Sequence, residues 1–312
     1  MSDSPLATGG RAMPPFILVH GGAGRARPGE DAYRAGLFTA AEAGYAAIGA
    51  GDCVDAVVAA VVAMEDDPAF NAGRGSVLNS RGEVECDAAV MRGQDQDFGA
   101  VVAVKGVPNP VRLARAVLDS PQVMLAANGA IDFAERSQVP LCDPAQMVTQ
   151  ERFERWSRWV AAGQPLVQDM DALEGCDTVG AVALDAAGNL AAATSTGGIS
   201  FAPPGRVGDS PLPGCGFWAD AAGAASSTGE GEKIARVMLC RLALDGALPD
   251  HFSVALALAE LAQRVRGSAG LVAVLADGRW DAGCSTETMG VAWRGTDMAE
   301  ARVEVVAGGA RD

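Results

Sequence analysis

The sequence predicts an α+β fold in which two β-sheets carry helices on their outer faces. The 312 residues are enough for a sizeable core, and the length alone allows one large domain or two. Hydrophobic residues make up 49% and charged residues 20%, which is typical of folded globular proteins. Short apolar runs alternate along the chain with Ala-rich amphipathic segments, and this order fits two sheets flanked by helices.

The first half opens with a predicted strand at residues 16–19. It leads into His-Gly-Gly-Ala-Gly at residues 20–24, where missing side chains permit tight backbone turns. Asp52 is a good N-cap for a helix with a broad apolar face, which Pro68 ends. The other elements predicted in this half are helices at 31–48, 110–118 and 122–135 and strands at 84–91 and 100–105.

Two polar segments are predicted to lie outside the core. Residues 1–15 lack the apolar stretch of a signal peptide, which predicts a disordered N-terminal tail and a cytoplasmic protein. Residues 140–177 combine a polar helical piece at 150–161 with Gly-Gln-Pro and an acidic run that has no core pattern. The second segment is therefore predicted to be an exposed, flexible linker.

The second half begins at Thr178 with a predicted β-hairpin. Its strands are residues 179–184 and 190–196, joined by a turn at 185–189. The remaining predicted elements are helices at 231–245 and 253–264 and strands at 271–275, 280–282, 289–293 and 303–306.

Composition narrows the classes of function. The formal charge of −15 comes from 39 acidic and 24 basic residues without a Lys/Arg-rich run, which argues against nucleic acid and membrane partners. Seven scattered cysteines without a C-x-x-C pair argue against disulfides and zinc, and predict buried thiols. Only His20 and His251 could serve as the base of a Ser-His-Asp triad. The charge itself fits a solvated, mutually repelling surface and says little about the substrate.

Thr178 is the strongest candidate for chemistry. β-Branched residues are common at the start of strands. An isolated threonine at this position would therefore be interpreted as a strand residue without a catalytic role. Cleavage before it would free an α-amine, whose pKa of about 7.7–8.0 suits a general base near neutral pH. Hydroxyl and base would then belong to one residue. Hydroxyl, glycine and charged residues at 194–198, 205–211 and 226–232 favour this catalytic interpretation.

Several motifs together resemble the plant-type asparaginase and isoaspartyl peptidase family of N-terminal nucleophile hydrolases, over residues 16–294. The motifs are His-Gly-Gly-Ala-Gly at 20–24, Phe-Asn-Ala-Gly-Arg-Gly at 70–75, Asp-Thr-Val-Gly-Ala-Val at 177–182, Thr-Ser-Thr-Gly-Gly at 194–198 and Gly-Arg-Val-Gly-Asp-Ser-Pro at 205–211. The resemblance implies a four-layer αββα sandwich formed by one domain, residues 16–312. It also implies self-cleavage between Asp177 and Thr178 into an α chain, 1–177, and a β chain, 178–312, with αβ units pairing as homodimers.

The resemblance implies the following catalytic roles. Thr178 is the nucleophile and, through its amine, the base. Thr196 hydrogen-bonds the hydroxyl of the nucleophile, and Asn71 supports the wall of the site. Thr228 and the backbone N–H of Gly229 form the oxyanion hole, where a glycine lets the substrate oxygen approach the main chain.

Substrate binding is implied for Arg206, Asp209 and Gly198, together with Thr228 and Gly229. A guanidinium can clamp the α-carboxylate of the substrate with two parallel hydrogen bonds, and a carboxylate can pair with the α-ammonium. Without the surrounding motif, Arg206 and Asp209 would be interpreted as a surface ion pair. The implied reaction is hydrolysis of β-aspartyl dipeptides and of the side-chain amide of L-asparagine through a Thr178 acyl-enzyme.

No cofactor for catalysis is implied, but residues 64–74 correspond to a loop that binds a structural Na⁺ in the family. The backbone carbonyls implied as ligands are those of Met64, Glu65, Asp67, Phe70, Ala72 and Arg74.

Other interpretations stay open. A glycosylasparaginase shares the Asp-Thr cleavage site, and a taspase-like protease would need insertions that the sequence lacks. Residues 214–219 fit the G-x-G-x-x-A pattern of a dinucleotide enzyme but follow a proline-rich loop. A non-catalytic binding protein of the same fold would keep its chain intact.

Overall fold

The computed structural model describes residues 7–25, 30–164, 178–245 and 252–308. These residues form thirteen strands in two sheets and eight helices. Within the described ranges, every helix is too short or too polar to cross a membrane.

The larger sheet has eight strands, and β2, β6 and β7 at its centre are buried along their whole length. Its neighbouring strands are antiparallel except for the last pair, which is parallel. In spatial order the strands are β13 (Arg302–Ala307), β12 (Thr288–Gly295), β2 (Phe16–Gly24), β6 (Val179–Leu184), β7 (Leu190–Thr196), β3 (Cys86–Arg92), β4 (Asp97–Val104) and β5 (Met124–Ala126).

The smaller sheet has five antiparallel strands. In spatial order they are β1 (Ala7–Arg11), β11 (Arg279–Cys284), β10 (Ala269–Leu275), β9 (Gly223–Gly229) and β8 (Phe217–Ala219).

The helices follow the predicted pattern in most places. Asp52 caps the second helix as predicted, because its carboxylate accepts hydrogen bonds from the N–H groups of Val54 and Asp55. The helices are α1 (Glu30–Ala50), α2 (Cys53–Glu65), α3 (Pro110–Leu118), α4 (Ala127–Arg136), α5 (Gln150–Ala161), α6 (Gly231–Val237), α7 (Leu239–Asp245) and α8 (Val254–Val265).

Three hydrophobic clusters form the core, and strand alternation divides residues among them. On β2, Ile17 belongs to the cluster with α1, α2 and α3, whereas Leu18 belongs to a cluster drawn from both sheets. On β10, Val272 belongs to that shared cluster, whereas Leu271 packs with α6, α7 and α8. Each of these strands is therefore buried on both faces, which explains its apolar sequence.

The prediction of a disordered N-terminal tail is wrong for residues 7–11. They form β1, which pairs with β11 through a register that runs from Ala7↔Gly283 to Arg11↔Arg279. Gly9 allows the close approach, since a Cβ there would lie 2.9 Å from the Trp280 carbonyl oxygen. Local composition could not indicate this pairing, because the partner strand lies more than 260 residues away in sequence.

The predicted linker is packed against the fold in its first part. Helix α5 forms at the predicted residues, and its Trp159 is buried and stacks on Phe201 with ring centroids 4.6 Å apart. The Nε of Arg152 donates a hydrogen bond to the Gly75 carbonyl at 3.0 Å. Residues 165–177 of the predicted linker lie outside the described residues.

Three predicted elements differ in detail. The helix predicted at 231–245 is divided into α6 and α7 at Met238, which has a left-handed φ of 52°. The helix predicted at 122–135 begins instead with β5, which pairs with β4. The turn predicted at 20–24 is a continuation of β2, and Gly21 leaves room there for the rings of Phe70 and Tyr33.

Candidate active site

Thr178 lies directly before β6, at the point where the hairpin strands separate. The β6–β7 register pairs Val179 with Ser195, so its next position sets Thr178 opposite Thr196. Both threonines are buried, with 7% and 3% of their surface exposed. The two residues that the sequence assigned to nucleophile chemistry are therefore neighbours across the sheet.

The hydroxyl of Thr178 is held by Ser210 and not by Thr196. The Thr178 Oγ1 lies 3.1 Å from the Ser210 Oγ, whereas the Thr196 Oγ1 accepts a hydrogen bond from the N–H of Gly198 at 3.1 Å. Among the described residues, the Thr178 hydroxyl therefore contacts Ser210 in place of the predicted partner, and the Thr196 oxygen closes the turn after its own strand. Ser210 is fixed in turn, since the Thr194 hydroxyl donates to its carbonyl at 2.7 Å.

Thr228 and Gly229 end β9, and Thr228 is fully buried. Gly229 has a φ of 138°, and a Cβ there would lie 2.6 Å from the Ser268 carbonyl oxygen, so the position requires glycine. The preceding residue, Ser227, donates from its Oγ to Asp209 Oδ2 at 3.3 Å. Through this contact the predicted oxyanion residues, which follow Ser227, lie near Asp209 of the substrate-binding pair and near Ser210, which follows Asp209.

Arg206 and Asp209 meet in front of Gly231. A Cβ on Gly231 would lie 2.8 Å from Asp209 Oδ1 and 3.0 Å from Arg206 Nη2. Glu232 accepts from the Nε and Nη2 of Arg206 at 3.0 and 2.9 Å, which fixes the plane of the guanidinium. The Nη1 of Arg206 faces Gly198, where a Cβ would lie 4.0 Å away. The predicted substrate residues therefore surround one side of the guanidinium.

Burial and the charge of Arg206 act in opposite directions on the pKa values of two carboxyl groups here. It raises the pKa of Asp209 to about 6, although the charge of Arg206 opposes it. Burial also acts to raise the pKa of Glu232, but the hydrogen bond and charge of Arg206 outweigh it and lower that pKa. Arg206 thus stabilises both carboxylates.

Asp87 is a buried carboxyl group that belongs to none of the sequence motifs. It lies opposite Thr196 in the β3–β7 ladder, and its Oδ1 accepts from the Ala103 N–H at 2.8 Å. Burial raises its pKa to about 7, and the charge of Arg206 opposes this shift. Its signal in the sequence was a single acidic residue within an apolar strand.

Asn71 fixes the turn that follows β7. Its Nδ2 donates to the Gly198 carbonyl at 2.8 Å, and its own carbonyl accepts from the Gly197 N–H at 3.0 Å. Its Oδ1 accepts from the Val77 N–H at 2.9 Å. Asn71 therefore stands at the wall of the site, beside the predicted substrate residue Gly198.

The turn after α2 brings one of the carbonyl oxygens assigned to sodium, that of Glu65, close to Gly73 and to a second backbone oxygen. At Gly73, which has a φ of 51°, a Cβ would lie 2.5 Å from the Glu65 carbonyl oxygen and 2.8 Å from that of Pro108. Three predicted ligand carbonyls accept backbone hydrogen bonds: Met64 from Asp67, Asp67 from Phe70, and Ala72 from Gly75. Oxygen atoms of this kind suit a hard cation, so the residues present fit the predicted group.

The structure also tests the dinucleotide-binding interpretation of the sequence. Residues 214–219 lead into the strand β8 and not into a helix, which contradicts the dinucleotide-binding pattern. Asp177, on the other side of the predicted cleavage site, and His251 lie outside the described residues.

The chain is similar in sequence to known proteins along nearly its whole length. The family model described as asparaginase matches residues 13–303. An isoaspartyl peptidase/L-asparaginase of Danio rerio is 45% identical over 286 residues, which cover 89% of this chain and 91% of that protein. The protein of the same name from Homo sapiens is 42% identical, with 89% and 92% covered. A plant-type L-asparaginase of Pyrobaculum calidifontis is 43% identical over 289 residues, with 89% and 96% covered. The chain belongs to the asparaginase family.

Proposed function

We propose that the chain cuts itself between Asp177 and Thr178 and then hydrolyses β-aspartyl dipeptides and the side-chain amide of L-asparagine. One observation carries the proposal: a buried threonine hydroxyl directly before a strand contacts Ser210, the residue that follows Asp209 of the arginine–aspartate pair. The names of the relatives, isoaspartyl peptidase/L-asparaginase and plant-type L-asparaginase, support this choice of substrates.

Self-cleavage starts at the Thr178 hydroxyl. Its oxygen attacks the carbonyl carbon of Asp177, the C–N bond breaks, and the proton from the hydroxyl passes to the freed nitrogen. The product is an ester between Asp177 and Thr178. Water then hydrolyses this ester, which leaves a carboxylate on Asp177 and a free hydroxyl and amine on Thr178.

In the cut chain, the Thr178 amine takes the proton of the hydroxyl while the oxygen attacks the carbonyl carbon of the substrate. Thr228 and the Gly229 N–H stabilise the negative charge that develops on the substrate oxygen. Ammonia or the amine of the dipeptide leaves with the transferred proton. Water then releases L-aspartate from the Thr178 acyl-enzyme.

Arg206 and Asp209 select the substrate. The guanidinium, whose Nη1 faces Gly198, takes the α-carboxylate, and the Asp209 carboxylate takes the α-ammonium. Both groups belong to the aspartyl part that amide and dipeptide substrates share.

We further propose that the domain, in which β1 joins the smaller sheet ahead of residues 16–312, is a four-layer αββα sandwich. The three hydrophobic clusters support it, because one lies between the sheets and the others lie between a sheet and its helices. A homodimer of αβ units in the cytoplasm is proposed from the family resemblance and the sequence, and sedimentation of the cut protein tests the dimer. Na⁺ would brace the turn that carries Asn71, held by the carbonyls of Met64, Glu65, Asp67, Phe70, Ala72 and Arg74.

Intact-mass analysis after incubation near pH 8, beside a Thr178→Ala control, tests the central proposal. We expect fragments that meet at Asp177 and Thr178 in the wild type alone, and ammonia release from L-asparagine only by the cut protein. An uncut wild type that still hydrolyses L-asparagine or β-aspartyl dipeptides would overturn the mechanism. An uncut, inert chain would favour a binding protein, and hydrolysis confined to N4-glycosyl-asparagine would favour the glycosylasparaginase alternative.

A further inference from the structure

His20 is a fully buried imidazole that the proposed chemistry does not use. It lies on β2 in the larger sheet, and its Nε2 is 2.8 Å from the Oγ of Ser226 on β9 in the smaller sheet. This hydrogen bond crosses an interior that otherwise consists mostly of apolar side chains from both sheets. A buried polar pair of this kind specifies how the two sheets align, because either partner alone would be left unsatisfied.

The pair lies directly behind the nucleophile and the oxyanion residues. His20 pairs with Gly180 in the β2–β6 ladder, two residues after Thr178, and Ser226 lies two residues before Thr228 on β9. A Cβ on Gly180 would collide with both the His20 Nε2 and the Ser226 Oγ. Glycine at position 180 therefore leaves the space in which the two side chains meet.

The imidazole is suited to a fixed hydrogen bond and not to carrying charge. Burial lowers the pKa of His20 to about 3. A hydrogen bond with the backbone of Thr178 acts in the opposite direction and is outweighed. The Nδ1 forms no hydrogen bond among the described residues. The ring is thus neutral at the pH of the proposed reaction, and Ser226 is the side chain that orients it.

We propose that His20 and Ser226 are positioning residues, which hold the end of β9 against Thr178 so that Thr228 and Gly229 face the attacked carbonyl. This inference deepens the proposed function and rests on it. Arg206 and Asp209 bind the other end of the substrate, and their hydrogen bonds to Glu232 and Ser227 do not involve His20. Loss of the pair should therefore affect the reaction more than the binding of substrate.

The test compares His20→Leu, His20→Gln and Ser226→Ala, with rates divided by the cut fraction from intact mass. Without the hydrogen bond, kcat for L-asparagine should fall at least about tenfold, because small displacements of catalytic groups are costly. KM should stay within about twofold, since the substrate clamp is unchanged. The His20→Gln variant should recover most of kcat, because its amide nitrogen reaches the position of the imidazole Nε2.

Each outcome decides between positioning and mere stability. An unchanged kcat in Ser226→Ala, or equal losses in His20→Gln and His20→Leu, would overturn the inference. A folded His20→Leu chain that stays uncut, beside a His20→Gln chain that cuts, supports it, because self-cleavage uses the same Thr178. Should His20→Leu fail to fold, Ser226→Ala removes the same hydrogen bond with the loss of one oxygen. Failure of the proposed function would instead appear as a wild type that neither cuts nor hydrolyses.

Discussion

Ser210 controls the direction of the Thr178 hydroxyl before the chain is cut. Its Oγ lies 3.1 Å from the Thr178 Oγ1, and its backbone is fixed by Thr194. Ser210→Ala should slow self-cleavage about fivefold to tenfold, which corresponds to the loss of one hydrogen bond of about 1 kcal/mol. A time course of intact mass at pH 8 measures the rate.

Ser200→Ala is the matched control for this prediction. Ser200 is also buried, but its Oγ has no hydrogen-bond partner among the described residues. It should cut at the rate of the wild type. Equal rates for Ser210→Ala and the wild type would show that the hydroxyl is oriented by another group.

Arg206 should determine affinity and leave self-cleavage unchanged. Arg206→Lys loses the planar fork that Glu232 orients at 3.0 and 2.9 Å, and a lysine cannot clamp a carboxylate with two parallel hydrogen bonds. KM for L-asparagine should rise about tenfold or more, given the strength of charged hydrogen bonds. Arg241→Lys is the control, because Arg241 pairs with Asp220 and Asp245. An unchanged KM in Arg206→Lys would remove Arg206 from substrate binding.

Sequence motifs indicated the site residues that they contain. They did not indicate the residues that contact those side chains in the folded chain. Thr178, Arg206 and Asp209 could be selected because their motifs name them. Ser210 stood in a quoted motif, yet its role depends on a contact across 32 residues of chain. Asp87 reaches the site only through the pairing of β3 with β7, and local sequence does not contain that information.

Helix α5 illustrates the limits of prediction at the scale of elements. Its polar composition indicated a helix with the observed bounds but gave no sign that Trp159 is buried against Phe201. Strand β9 was missed for a related reason. Its sequence, Gly-Ala-Ala-Ser-Ser-Thr-Gly, has no apolar alternation, and the strand is buried because it pairs with β8 and β10.

The packing of α5 predicts a large effect of Trp159→Ala on stability. Trp159 is 8% exposed, and its ring lies parallel to that of Phe201 within 2°. Removal of a large buried ring costs about 3 kcal/mol of unfolding free energy. Urea unfolding measures it, and Phe153→Ala on the same helix should cost less than about 1 kcal/mol, because Phe153 is 47% exposed. Similar losses in both variants would mean that α5 does not pack as described.

The whole molecule joins its two sheets through a core that carries the site at one end. The apolar runs at 179–184 and 190–196 predicted a β-hairpin with its observed bounds, and both strands are buried along their whole length. The way the sheets face each other depends on the His20–Ser226 contact and on the space at Gly180, which no local pattern indicates. The sequence therefore predicted the elements better than their arrangement.

Asp87 should make the stability of the whole chain depend on pH. Its pKa is about 7 in the folded state, above the ordinary 3.8, because the carboxyl group is buried. Between these values the folded chain holds a proton that the unfolded chain releases, so stability falls as pH rises. Asp87→Asn keeps a carbonyl oxygen for the Ala103 N–H and stays neutral, so it should lack this contribution.

The measurement is urea unfolding at several pH values from 4 to 8, in a Thr178→Ala background that keeps the chain in one piece. As the pH rises through this range, the unfolding free energy of the chain that retains Asp87 should fall relative to that of the Asp87→Asn chain by roughly 1 kcal/mol per pH unit. Asp209, whose pKa is raised to about 6, contributes a slope of the same sign to both chains. Because the charge of Asp209 is one cause of the raised pKa of Asp87, the difference between the curves reports Asp87 together with this coupling. Parallel curves would mean that Asp87 is charged in the folded protein and that Arg206 outweighs its burial.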